Sequence, residues 1–401
     1  MKSWRDGGRR ACPPAETWAR LKPLLPVFGI SRVGAITGLD RIGVPVFTAC
    51  RPNARSLSVY QGKGLTADAA RVSAVMEAYE TWCAESVDLP LKFASIDELR
   101  YTHRLVDLDR LPLADPDGPD PGQPFLWIEG NDLMGGGQRW LPFEIVHANY
   151  AHPEPPRSGA WPATTNGLAS GNTADEAVLH ALMEVIERDA VTLWRLRPDA
   201  WGDATALRPE TVDDSAARGL LDRLEAAGIE VAVWNATSDT GTPCFLALIH
   251  DPSGTGAAEI GAGAHPSPAI ALIRALTEAV QVRGTFIAGA REDIPDEDYT
   301  PAAIATRRET ATGILRSLRP RHDFGAILDI ETDTFADDIE RALDGLRAVG
   351  VTQAVCVAIG KPALPFPVVR VVVPGLEAAL EGTETGWVPG PRAASILKAA
   401  Q

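Results

Sequence analysis

The chain has 401 residues, 53 of them acidic and 38 basic, for a formal net charge of −15. Hydrophobic residues at 45% and charged residues at 23% are ordinary proportions, which excludes wholesale disorder, and a chain this long buries a large core without disulfide staples. The acidic balance argues against broad binding to nucleic acid or anionic membranes, since both depend on stripes of Lys and Arg.

The N-terminal stretch MKSWRDGGRRACPP lacks the apolar segment of a secretory signal, and no apolar run approaches a membrane span, so the chain reads as a cytoplasmic globular protein. Residues 13–26 predict a short Pro-bounded helix. From Ile30 to Ser58 apolar and polar residues alternate around Gly and Pro, the pattern of strands and turns. Gly62, Lys63 and Gly64 make a turn into a helix of about 20 residues, with Thr66 as N-cap and Asp68 in its first turn. DPDGPDPGQP (115–124) and HPEPPRSG (152–159) are loops too short to be domain linkers. GLASGNT (167–173) is a second small-residue turn, followed by a long helix through about Leu196. Residues 228–250 predict a β-hairpin, 267–290 a third long helix, and 351–359 and 368–374 buried strands. The cysteines Cys12, Cys50, Cys83, Cys244 and Cys356 are scattered without a C-x-x-C, so neither a disulfide framework nor a thiolate zinc site is readable; Cys83 and Cys356 read as small core residues.

The three long helices carry one polar pattern. The first holds Ser73, Glu77 and Glu80; the second His180, Glu184 and Glu187, followed by Arg188 and Asp189; the third Arg274, Glu278 and Gln281, with Arg283 beyond. Positions i, i+4 and i+7 fall within an arc of about 60° on a 3.6-residue period. Thr173 and Glu176 extend the second stripe toward its N-terminus, where they also suit a capping box. The surrounding positions are apolar nearly all round, as expected of buried helices, and buried carboxylates cost several kcal/mol each unless a cation or metal pairs with them. For a single stripe, solvated glutamates or a core histidine are the simpler readings; three stripes with Glu at the centre of each predict a shared polar site. Oxygen donors without cysteine suit Mg²⁺ before Zn²⁺, and several carboxylates suit more than one ion with a polyphosphate between them. Arg188, Arg274 and Lys63 would offset phosphate charge, and GLASGNT presents backbone N–H groups at a helix start. The G-x-x-x-x-G-K-[ST] phosphate loop, the G-x-S-x-G elbow and H-E-x-x-H are all absent.

At these residues the sequence resembles the YcaO family. SRVGAITGLDRIGVPVFTACRPNARSLSVYQGKGLTADAARVSAVMEAYE resembles the opening of that domain, GLASGNTADEAVLHALMEVIERDA its second signature, RALTEAVQVR its third and FPVVRVVVPGLE its closing strand, in the family's order over residues 30–380. The resemblance implies one large α/β (mixed α+β) domain whose long helices carry an acidic ATP and Mg²⁺ site without a P-loop, with residues 1–29 as a helical lead-in and 30–401 as the YcaO domain. It implies that Glu77, Glu80, Glu184 and Glu187 ligate Mg²⁺, that Lys2, Ser73, Ser170, Asn172, Glu176, Arg188 and Gln281 hold the nucleotide, and that Arg274, Glu278 and Arg10 serve the reaction. Two departures stand out: Ala169 where some members have Ser, and Thr81 where Arg is frequent.

Proteins of this family activate a peptide-backbone amide: a nucleophile adds to the carbonyl carbon, the oxyanion takes the γ-phosphoryl group of ATP, and phosphate leaves with the former amide oxygen. Azoline formers use a Cys, Ser or Thr side chain of the substrate and usually end in Pro-x-Pro-x-Pro. This chain ends PGPRAASILKAAQ, with Pro389, Pro391 and Gln401, which looks more like the thioamide-forming branch that uses external sulfide and works with a TfuA partner; a plain surface extension is the other reading of that tail. The resemblance thus implies an ATP-dependent thioamidation of a ribosomally made peptide or protein, a sulfide donor, a TfuA-like partner and a homodimer. Azoline-forming cyclodehydration, or a non-catalytic nucleotide-binding scaffold, are the competing expectations.

Overall fold

The structure, a computed structural model, describes residues 2, 4–5, 7–155, 158–254, 256–378 and 388–399. Met1, Ser3, Asp6, Pro156, Arg157, Ala400 and Gln401, which fall within stretches quoted from the sequence, lie outside the described residues. In chain order the elements are α1 (Pro14–Leu21), β1 (Arg32–Ala35), β2 (Val46–Cys50), β3 (Val59–Lys63), α2 (Ala67–Glu85), β4 (Leu91–Ala94), α3 (Ile96–Leu99), β5 (Phe125–Asp132), β6 (Gln138–Pro142), β7 (Leu168–Ser170) and α4 (Ala174–Arg195). There follow α5 (Ser215–Ala226), β8 (Glu230–Asn235), β9 (Cys244–His250), β10 (Glu259–Ala264), α6 (Pro268–Ala288), α7 (Pro301–Ser317), α8 (Phe335–Ala348), β11 (Val355–Ala358), β12 (Val368–Val372) and α9 (Pro391–Ala399). The mixed α/β class is the one expected. No helix is long and apolar enough to cross a membrane among the described residues. The chain divides into two compact units, the first Met1–Tyr79, Asp199–Thr237 and Gly241–Asp333, the second Glu80–Pro198, Ser238–Thr240 and Thr334–Gln401.

The first unit holds two antiparallel sheets, in the orders β1-β2-β3 and β10-β9-β8. The last strand of each triplet in chain order turns directly into a long helix, β3 into α2 and β10 into α6. Glycine sets how closely each helix lies on its strand: a Cβ on Gly62 would sit 2.0 Å from the Ala74 nitrogen, and one on Gly261 or Gly263 2.3 Å from the Ala279 nitrogen or the Ala271 oxygen. Val44 and Val46, Leu220 and Leu224, Phe245 and Ile249, and Ile273 and Leu276 pack into one buried cluster joining the sheets to α5 and α6. Burial of each such side chain contributes about 1.5–3 kcal/mol, which makes this cluster the main anchor of α6.

Glu259, on β10, is an exception among these apolar contacts. It is only 5% exposed, and burial pushes its carboxyl up to about 7 against the opposing charges of Arg307 and Arg283. Nearby, Phe286 stacks on Tyr299 with ring centroids 4.4 Å apart, and the Arg307 guanidinium sits 4.9 Å over Phe286.

The second unit is built on a six-stranded antiparallel sheet, β4-β5-β11-β12-β7 with β6 paired to β5. One face takes α4 and α8 through Leu182, Val185 and Ile186 against Leu343, Leu346, Val369 and Val371. Gly167 enters β7 at φ +78°, and a Cβ there would meet the Val371 oxygen at 2.1 Å. Thr173 caps α4, its Oγ1 accepting the Glu176 N–H at 3.2 Å.

The C-terminal tail is fastened to this helix rather than lying loose on the surface. Asp189, fully buried on α4, accepts from the Glu377 N–H and from Arg392 Nε, both at 3.0 Å. The Glu377 carboxylate accepts in turn from the backbone N–H groups of Gly390 at 2.9 Å, Arg392 at 3.0 Å and Ala393 at 2.8 Å, capping α9 at its N-terminus. Arg392 also pairs with Asp239. Burial pushes the Asp189 carboxyl up to about 6, with Arg392 pulling it back.

Two outcomes follow from these buried charges. Arg392→Ala strands the Asp189 carboxylate and is expected to cost about 3–5 kcal/mol in urea unfolding, with Arg392→Lys recovering part of it; equal losses in both variants would show that packing, not charge, fastens the tail. Glu259 binds its proton more tightly folded than unfolded, so its contribution is full below pH 4.5 and is lost as pH rises through about 7. That span corresponds to about 3 kcal/mol. Glu259→Gln should therefore raise the urea midpoint at pH 8 and leave it nearly unchanged at pH 4; the same gain at both pH values would refute this.

Candidate functional site

The stripes form as the spacing predicts. On α2, Ser73, Glu77 and Glu80 are half-buried while Ala74, Val75, Ala78 and Tyr79 between them are buried. On α6, Arg274, Glu278 and Gln281 are half-buried between buried Ala275, Leu276, Ala279 and Val280. The α4 stripe runs deeper: Glu176 and Glu187 are buried and His180, Glu184 and Arg188 half-buried.

Within the first unit the structure gathers positive charge. His265 is buried, and its imidazole is held well below the usual histidine range by burial and by the charges of Arg274, Lys2, Arg10 and Arg9. Its Nδ1 accepts the Ser267 N–H at 2.9 Å. Glu331 pairs with Lys2 at 3.4 Å and with Arg9 at 2.9 Å, and Lys2 Nζ also donates to the Thr332 carbonyl at 3.0 Å. Lys2, Arg10 and Arg274, proposed separately from sequence, thus share one neighbourhood, a field that attracts anions. Arg9, His265 and Glu331 were not singled out from sequence; the Arg9-Arg10 doublet was the one signal for them. Lys63, read as an offset for phosphate charge, is ion-paired with Glu278, whose Oε1 also accepts the Ala262 N–H at 3.4 Å. Glu77 has a further cation in reach: Arg291, raised despite its burial by Asp293 and by the charge of Glu77, and donating to Gln61 Oε1 at 3.2 Å.

Within the second unit Glu80 meets β7. Its Oε1 accepts from the Ser170 N–H at 2.8 Å and from Ser170 Oγ at 2.5 Å, which places the last glutamate of the first stripe on the strand leading into α4. Asn172 Nδ2 donates to both oxygens of Glu176 at 3.5 Å. The Glu184 carboxyl accepts the Gly167 N–H at 3.2 Å and is raised by burial and by the negative Glu187, with Arg188 and Arg370 opposing. Ala169, fully buried, pairs with Val369 inside the sheet.

Two like charges one helical turn apart on a buried helix call for a cation, and an all-oxygen donor set fits Mg²⁺. Among the described residues no three or more His, Cys, Asp or Glu side chains form a ready metal cage. Mg²⁺ does not need one, since it typically takes one or two carboxylates and completes its shell with phosphate oxygens and water.

The comparisons with known proteins fit this arrangement. The sequence profile of the family described as YcaO cyclodehydratase, ATP- and Mg²⁺-binding, matches residues 61–377. An uncharacterized protein in the tfuA 3′ region of Rhizobium leguminosarum bv. trifolii is 36% identical over 98% of this chain and 94% of its own. An uncharacterized protein of Methanothermobacter thermautotrophicus is 36% identical over 92% of this chain and 95% of its own. Among solved structures, YcaO from Methanopyrus kandleri bound with AMPPCP and Mg²⁺ superposes with a TM-score of 0.72 at 25% identity, over 93% of this chain and 94% of that one. A heterocyclase in complex with substrate and cofactor gives 0.77 at 23% identity, over 94% of this chain; the chain spans 54% of that protein's length, and the likeness is one of fold. The stripes, the glycine-seated helices and the match across most of its length lead to one conclusion: the chain belongs to the YcaO family.

Proposed function

We propose that this protein consumes ATP, with Mg²⁺, to activate a peptide-backbone amide, and that the incoming nucleophile is sulfide, so that the product is a thioamide in a ribosomally made peptide or protein. The relative from the tfuA 3′ region, collinear over 98% of the chain, carries the choice of sulfide and of a TfuA-like partner protein. Amide activation is supported by the family description, by the carboxylates that α4 carries in the second unit and by the cations gathered around His265 in the first. A homodimer and a sulfide donor belong to the same proposal, as does grouping residues 1–29 with the domain that follows, since Lys2 and Arg10 sit with Arg274.

In this reading Glu77, Glu80, Glu184 and Glu187 hold Mg²⁺, which when bound neutralises phosphate oxygens. Ser73, Ser170, Asn172, Glu176, Arg188, Gln281 and Lys2 hold the nucleotide. Arg274 and Arg10 stabilise negative charge on the transferred phosphoryl group, and Glu278 fixes Lys63. Hydrosulfide adds to the amide carbon and the resulting oxyanion attacks the γ-phosphorus, releasing ADP. Phosphate then leaves with the former amide oxygen and a proton is lost, leaving C=S. An amide oxygen is a very poor leaving group until phosphorylated, which is why ATP is spent.

The family's description as a cyclodehydratase supports azoline formation as the second reading. Product mass separates the two: replacement of one oxygen by sulfur against loss of water. ATP hydrolysis with the peptide should also require added sulfide; turnover to a dehydrated product without sulfide would overturn the thioamide assignment. Glu187→Gln should lower kcat by about 10²–10³-fold while the protein stays folded, because it weakens the hold on the Mg²⁺ that would neutralise the reacting phosphates. Retained turnover in that variant would sink its metal role.

A further inference from the structure

We propose that Arg370 and His147 form a site for a small monovalent anion, which under the function proposed above is hydrosulfide, the sulfur nucleophile itself.

Arg370 lies on β12 and is 3% exposed. One of its amino groups donates to the Thr164 carbonyl at 2.7 Å, while Nε and the other amino group are buried with no hydrogen-bond partner. His147 is 5% exposed; its Nδ1 accepts the Asn149 N–H at 3.1 Å, which puts the ring proton on Nε2, and Nε2 is likewise buried without a partner. The two side chains lie within electrostatic reach of each other. Burial and the Arg370 charge together depress the His147 imidazole, over the opposing pull of Glu154. Arg370 in turn feels Tyr150 and Glu184.

A buried guanidinium whose described acceptor is one neutral carbonyl is an unfavourable arrangement. The unsatisfied groups are all donors, from Arg370 and from His147 Nε2. Water would meet their hydrogen bonds but bring no countercharge beyond that of Glu184; an anion brings both. Burial of every unpartnered atom limits the occupant's size, and one guanidinium already offset in part by Glu184 limits it to no more than one negative charge. Phosphate is too large and too highly charged. Hydrosulfide is small, monovalent and weakly hydrated, and guanidinium is the more weakly hydrated of the basic side chains, so each gives up its water at comparatively low cost. The position also suits a reactant: Arg370 acts on Glu184, one of the proposed metal ligands of α4, within the same unit.

The proposal rests on the thioamide reading for the identity of the anion, and two measurements keep the two apart. In steady-state assays with ATP, Mg²⁺ and peptide, Arg370→Met should raise KM for sulfide by about 10–100-fold, the scale of one or two lost charge-assisted hydrogen bonds, while KM for ATP stays put. Arg370→Lys should fall between, and His147→Phe should raise the sulfide KM by less. Bromide serves as the probe in the unsubstituted protein, so that the result does not depend on the folding of any variant. Crystals soaked in bromide should show anomalous density between Arg370 and His147 Nε2, and bromide should compete with sulfide when ionic strength is held constant with acetate. Bromide density without competition, or sulfide KM values unmoved in all three variants, would overturn the hydrosulfide site even with thioamide formed. Bromide density in a protein that makes no thioamide would overturn the function and leave an anion site standing. No density and no competition would overturn the site altogether.

Discussion

Carboxylates built into apolar helices are the constraint around which this protein is arranged. A surface glutamate is neutral to stability, but Glu184 and Glu187 stand one turn apart on a helix whose other faces carry Leu182, Val185, Ile186 and Trp194 into the core. Their mutual repulsion and their desolvation add, which is visible in the upward shift of Glu184. Arg188 and Arg370 offset only part of this, so a bound cation adds to the stability of the helix: whatever binds the folded form alone also stabilises it. The cations gathered around His265 pose the inverse problem and have the inverse solution. Positive charge collected against a buried neutral imidazole is offset in part by Glu331, and an anion bound there adds to that offset.

The stripes can do this only because the helices lie very close to their strands. Gly62 under α2, Gly261 and Gly263 under α6, and Gly171 at the start of α4 occupy places where a single Cβ would run into helix backbone. With a methyl group there the helix would ride outward, and a polar stripe set by a 3.6-residue repeat would move with it. Glycine in a strand interior is intrinsically unfavourable, so its presence in β3 under α2 and in β10 under α6 is a packing requirement rather than a turn preference. A similar construction in three places explains why the three sequence motifs look alike without belonging to a repeat array.

What was legible in the sequence was local. The helices α2, α4 and α6, the caps at Thr66 and Thr173, the hairpin of β8 and β9 and the stripe positions all follow from spacing and capping chemistry within about 20 residues. What escaped it was long-range pairing. Nothing in DGGRR says that Arg9 and Arg10 meet His265, more than 250 residues away, along with Arg274. Lys63 reads from sequence as an offset for phosphate charge, and its ion pair with Glu278 could not be read there, because β3 and α6 are neighbours only in the folded unit. The C-terminal tail was readable as either a family marker or a surface extension, and its anchoring through Asp189 and Glu377 depends on a buried acid whose partner lies 203 residues further on. Arg370 is the sharpest case. Inside VVRVVV it reads as the lone polar residue of a buried strand, and only the fold shows that its donors are left over.

That leftover charge bears on the one question that family membership leaves open. Phosphorylating an amide oxygen is common to every product proposed for this site, so the ATP and Mg²⁺ residues cannot tell a thioamide former from an azoline former. The nucleophile can. An azoline former takes it from the substrate's own side chain, delivered at high effective concentration by the chain that carries it. A thioamide former must draw a small solute from solution, strip its water and hold it beside the carbonyl carbon, and that task requires a desolvated cationic contact for which azoline formation has no use. A buried guanidinium with unused donors, close enough to Glu184 to act on its charge, is the feature that such chemistry demands of the protein itself.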